Sequence, residues 1–118
     1  MAVQHYRGGC QCGAVRYEVD VDIDNPIACN CSRCGRLGTI LSFTPADNFT
    51  LLSGRDSLTV YKFNKHVIDH QFCKVCGVQS FSLGKAQDGK TMAAINVRCL
   101  DGIDPHELNP KEFDGRGR

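Results

Sequence analysis

The chain has 118 residues, 42% of them hydrophobic and 23% charged, with a formal net charge of +1. That length predicts one domain over 1–118, able to bury roughly two-thirds of the surface its unfolded form exposes. The charges balance and no run of Lys or Arg forms a stripe, which argues against a nucleic-acid partner, and no apolar stretch is long enough to span a membrane.

Met1-Ala2-Val3-Gln4-His5-Tyr6 lacks the basic start and apolar run of a secretory signal, so the expected location is the cytoplasm. Residues 5–9 lead into Cys10-Gln11-Cys12-Gly13, a turn whose glycine allows the backbone to approach sulfur closely. Val15, Tyr17, Val19 and Val21 then alternate with Arg16, Glu18, Asp20 and Asp22, the clearest period of two in the chain, which predicts a half-buried strand. Asp24-Asn25-Pro26 ends it. In Cys29-Asn30-Cys31-Ser32-Arg33-Cys34, Ser32 is placed to cap a single helical turn over 33–37, which Gly35 and Gly38 keep short. Residues 39–44 predict a strand stopped at Pro45, and 49–52 another that turns at Gly54. Residues 57–63 alternate again, and 66–72 return as their hairpin partner, delivering Cys73 and Cys76 to a turn closed by Gly77. Residues 78–83 and 91–97 flank a polar loop as a further hairpin. Pro105 and Pro110 break the remainder into turns, and 111–118 reads as a loose tail. The predicted architecture is mainly β, a small antiparallel domain whose limited core would gain from metal staples.

Seven of the eight cysteines fall in three short knots, Cys10/Cys12, Cys29/Cys31/Cys34 and Cys73/Cys76, with Cys99 alone. In a reducing compartment such clustering points to metal or chemistry rather than to disulfides. Thiols this close in sequence pair poorly with one another, but they can converge on an ion. Thiolate is the soft ligand that holds zinc at about 2.3 Å, in tetrahedral sets of four. Seven thiols match one closed site and one open site. Spacing alone does not decide which knots combine, since each ends in Cys-Gly. Cys99 can join Cys29, Cys31 and Cys34 to close the second site, or lie as a small buried hydrophobe.

The segment Gly9-Cys10-Gln11-Cys12-Gly13-Ala14-Val15-Arg16-Tyr17, the Cys-x-Cys-Ser-x-Cys at 29–34, Phe72-Cys73-Lys74-Val75-Cys76-Gly77 and the pair Leu100-Asp101 stand in that order. Together, over roughly residues 7–104, they resemble the glutathione-dependent formaldehyde-activating enzyme family, also called the centromere protein V family, whose β fold is of the Mss4-like type. The resemblance implies two zinc ions. Cys10, Cys12, Cys73 and Cys76 would form a closed structural site, and Cys29, Cys31 and Cys34 an open, catalytic-type site. It also implies a carbon–sulfur lyase or synthase activity, joining glutathione and formaldehyde as S-(hydroxymethyl)glutathione. Members often carry His between the first two middle cysteines, where this chain has Asn30, and a basic residue after the third, where Gly35 precedes Arg36.

The residues themselves favour a thiol partner. Three thiolates leave an open zinc site at a formal charge of about −1 and weaken its pull on water, so a zinc-hydroxide hydrolase suits it poorly. A small-molecule thiol, held as the nucleophilic thiolate, suits it better. Arg33, Arg36, Lys65 and His66 are candidate neighbouring cations. His66 and His70, evenly spaced on one strand, share a face and can bind metal or carry protons. The alternatives are a non-catalytic structural zinc domain that binds a partner protein, and a redox site built on Cys99 with a metal-free middle knot.

Overall fold

The computed structural model describes residues 3–63, 67–86 and 88–116. Lys65 and His66, candidates from the sequence, lie outside the described residues. The chain forms two sheets. The smaller has the strand order β1 (Gln4–Gly9), β2 (Arg16–Val21), β5 (Phe49–Ser53). The larger has seven strands in the order β10 (Lys111–Phe113), β3 (Ile27–Cys29), β4 (Leu41–Pro45), β9 (Thr91–Asn96), β8 (Phe81–Lys85), β7 (Ile68–Cys73), β6 (Leu58–Tyr61). Every pairing is antiparallel except that of β10 with β3, which is parallel.

The alternation in β2 explains how the sheets meet. Tyr17, Val19 and Val21 are at most 1% exposed and face Phe81, Ala93 and Ile95 of the larger sheet, while Asp20 on the opposite face is exposed. Each buried side chain of this size stabilises the fold by about 1.5–3 kcal/mol. Tyr17, Phe49 and Phe81 form the centre, with ring centroids 4.6–5.8 Å apart. The Tyr17 hydroxyl donates to the Ser80 carbonyl at 3.2 Å, so the largest buried side chain carries no unpaired polar group. Leu100 packs into this core and bridges to Gly8, and Asp101 beside it forms a two-pronged ion pair with Arg16.

Three departures from the sequence reading bear on the cysteine groups. The short helix α1 (Cys34–Leu37) has no side-chain cap from Ser32. Instead Cys34 N–H donates to the Cys31 sulfur at 3.3 Å and Gly35 N–H to the Cys31 carbonyl at 2.8 Å, so a thiol does the capping. Gly13 follows Cys12 with φ 84°, Gly77 follows Cys76 with φ 82°, and an added Cβ would meet nothing at either. Their role is the left-handed turn, not close approach. Finally, residues 111–113 are no loose tail but strand β10, aligned with β3 so that Phe113 lies opposite Cys29. The pairing joins segments more than eighty positions apart, and a three-residue strand shows no periodicity of its own.

Candidate metal centres and the adjoining cleft

Two turns bring the first cysteine group together. The link between β1 and β2 carries Cys10 and Cys12, and the end of β7 with its following turn carries Cys73 and Cys76. Their four sulfurs lie within 4.8 Å of one another, with Cys10–Cys12 at 3.6 Å and Cys12–Cys73 at 3.7 Å. A disulfide needs about 2.05 Å. A tetrahedron with zinc–sulfur bonds of about 2.3 Å has edges of about 3.8 Å. Four thiolates at these distances fit zinc and could not be held together without a cation. Backbone N–H groups are aimed at the sulfurs: Val15 to Cys10 at 3.3 Å and Val75 to Cys73 at 3.4 Å. The amides of Val78 and Cys12 lower the Cys76 thiol to about 6, favouring the ligating form.

The second group is local. Cys29 ends β3, Cys34 begins α1, and Cys31 lies on the link, all three sulfurs within 4.8 Å. The same amide-to-sulfur pattern recurs, with Cys31 N–H donating to Cys29 at 3.4 Å and Cys34 N–H to Cys31 at 3.3 Å. Burial pushes the Cys34 thiol up to about 12, opposed by the Thr39 hydroxyl beside it. That hydroxyl is buried with no oxygen or nitrogen partner, and a thiolate at Cys34 would give it one. The donor set of three soft sulfurs therefore fits zinc, with no fourth protein ligand among the described residues. Cys99 belongs to neither group; it sits near Gln79, interacts electrostatically with Cys10 and Cys76, and its thiol is pushed up to about 11 by burial.

The two groups differ in what they face. Cys29, Cys31 and Cys34 all line a cleft of about 460 Å³, whereas none of the other four does. Phe43, Phe63 and Ile68 make much of the wall apolar. His70, Gln79 and Ser82 are its buried polar members, 7%, 6% and 5% exposed. Arg33 donates Nε and Nη2 to Gln79 Oε1 at 2.9 and 2.7 Å, with its guanidinium 4.7 Å over the Tyr61 ring. His70 stacks on Phe63 at 5.0 Å, and its buried Nδ1 has no hydrogen-bond partner. Burial, and then the charge of Arg33, lower its pKa, so the imidazole is neutral near pH 7.

Of the candidate cations, Arg33 is thus spent on Gln79, and exposed Arg36 donates to the Ser32 carbonyl at 2.8 Å. The cleft wall carries Lys85 and Arg116 instead, and no Asp or Glu among the described residues. Neither cation was marked by the sequence, since isolated charges in a loop and near the chain's end carry no pattern. Asn30 accepts from Gly115 N–H through Oδ1 at 2.8 Å, a contact that no local signal foretold.

Among the described residues, no helix is long and apolar enough to cross a membrane. The family model described as glutathione-dependent formaldehyde-activating enzyme matches residues 5–113. The fold is similar to a crystal structure of a Rhodobacter sphaeroides protein at 29% sequence identity, with a TM-score of 0.81, over 90% of this chain and 97% of that one.

Proposed function

The chain belongs to the glutathione-dependent formaldehyde-activating enzyme family, and on that premise we propose that it is a zinc-dependent carbon–sulfur lyase or synthase acting on a small-molecule thiol and an aldehyde. Glutathione and formaldehyde are the pair the family points to. In this reading Cys10, Cys12, Cys73 and Cys76 hold a structural zinc, and Cys29, Cys31 and Cys34 hold a second one that is open to substrate. The observation that carries it is the asymmetry of the groups: the three-cysteine group lines the cleft of about 460 Å³ and the four-cysteine group does not. A catalytic zinc keeps a position free, and a structural one is closed.

Zinc bound at the second group would supply the soft positive centre that keeps a thiol deprotonated near neutral pH. In the addition, the sulfur bonds to the aldehyde carbon, the carbonyl π pair moves to oxygen, and the proton lost by the thiol ends on that oxygen. The reverse reaction breaks the same carbon–sulfur bond. Phe43 and Phe63 keep the reacting atoms in apolar surroundings. Neutral His70, on the cleft wall, is the group able to take the thiol proton and return it to the new hydroxyl. With three ligating thiolates at a formal −1 and a fourth taking the site to about −2, Lys85 and Arg116 offset charge that would otherwise repel an anionic thiol. The eight unpaired thiols suit a reducing cytoplasm.

Titration calorimetry with glutathione tests the reading. Zinc-loaded protein is expected to bind, and chelator-stripped protein and Cys31→Ser to show no binding. Glutathione binding that survives zinc removal overturns the proposal. Two fully closed zinc sites with no thiol affinity would favour a partner-binding zinc domain instead.

A further inference from the structure

We propose that Asn30 and Gly115 are positioning residues of the three-cysteine site, through which β10 and the segment after it hold the Cys29 sulfur in place and close one wall of the cleft. The inference rests on the reading of Cys29, Cys31 and Cys34 as metal ligands. Asn30 grips the segment on both sides of Asp114: its backbone N–H donates to the Phe113 carbonyl at 3.2 Å, and its side-chain Oδ1 accepts from Gly115 N–H at 2.8 Å. Together with the β3–β10 register, these bonds press buried Gly115 against the metal group.

Only glycine has room there. A Cβ on residue 115 would stand 2.6 Å from the Cys29 sulfur and 3.4 Å from the Cys31 Cβ. Ordinary contact begins at about 3.5 Å. A cysteine sulfur bound to an ion cannot step back by about an ångström without stretching its bond to that ion. Asn30 in turn suits its place because it is neutral. Its oxygen is committed to Gly115, and it adds no charge beside three thiolates. The segment it anchors supplies Phe113, Gly115 and Arg116 to the cleft wall. The end of the last strand is thus part of the site's architecture.

The test follows zinc, not turnover. Protein loaded with two equivalents of zinc is mixed with an excess of a chelating dye, and release is followed by absorbance. Wild type is expected to show a fast phase from the three-cysteine site and a slow phase from the four-cysteine site. Gly115→Ala and Asn30→Ala should speed the fast phase by about 10- to 100-fold, the usual effect of losing a partner that orients a metal ligand. The slow phase should not change, and Glu112→Ala, on the exposed side of β10, should behave as wild type. Asn30→Ala introduces no clash, so it decides the matter if Gly115→Ala releases both ions together. Wild-type release in Asn30→Ala overturns the inference, as does equal acceleration of both phases, which would make the segment a general prop of the fold. Wild-type protein that takes up only one zinc overturns the metal reading itself, and this inference with it.

Discussion

The two cysteine groups close loops of very different size, and their loss should therefore differ in effect. Cys12 and Cys73 are 61 positions apart, yet their sulfurs are 3.7 Å apart, so an ion held there staples the turn of the smaller sheet to the larger sheet. Treated as a cross-link, a loop of that length restricts the unfolded chain by about 4 kcal/mol, whereas the loop from Cys29 to Cys34 is worth about 2 kcal/mol. The difference of about 2 kcal/mol corresponds to about 8 °C in Tm for a domain of this size. That difference applies when the ion is lost, and a serine at Cys73, which is 0% exposed, also places a hydroxyl among buried sulfurs. We expect Cys73→Ser, once its first group has lost its ion, to melt about 8 °C below Cys31→Ser, with circular dichroism reporting the fold and atomic absorption the zinc content. Cys31→Ser should stay folded with one zinc. Equal melting temperatures, or a Cys73→Ser protein as stable as wild type, would refute the assignment of the first group as the staple.

Three smaller perturbations probe other parts of the molecule. Tyr17→Phe leaves the buried Ser80 carbonyl without its side-chain donor and should cost about 1–2 kcal/mol in urea unfolding, with no change in zinc content. Thr39→Val removes the hydroxyl beside Cys34 and should weaken zinc retention at the three-cysteine group alone, as chelator competition would show; unchanged retention would leave that hydroxyl without a role. His5 pairs with Asp20 at 2.8 Å, which raises its pKa above 6.5. Its contribution is therefore complete below about pH 6.5 and fades as pH rises through the raised value. The Tm difference between wild type and His5→Gln should be largest near pH 6 and disappear in the alkaline range, and a difference that grows with pH would contradict the pairing.

The sequence made the β architecture legible where a strand buries one face. Val15 to Val21 alternates because its odd positions enter the core between the sheets, and the structure places strand β2 there. The cysteine knots were visible for a similar reason: ligand chemistry admits few residue types. Which knots combine was not legible from spacing and came from the family resemblance. The rest was hidden because it is long-range and polar. Three residues of β3 and three of β10 recognise one another only across the folded chain. Gly115 looks like any glycine in a polar stretch until its backbone is seen against Cys29. The same holds for Arg33, whose charge reads as surface and is committed to Gln79 and the Tyr61 ring.

On the metal reading proposed above, the spread of the cysteines along the chain also sets a timetable for biosynthesis. A domain generally folds as a unit, while its chain is made from the N-terminal end onward. Cys29, Cys31 and Cys34 leave the ribosome together and can capture an ion at once, but Cys10 and Cys12 must wait for Cys73 and Cys76. The pocket wall made by Phe113 and Gly115 arrives later still. A nascent chain therefore exposes Cys29, Cys31 and Cys34 well before the segment that shelters them is made, and its yield in cells should depend on how much zinc is at hand during translation.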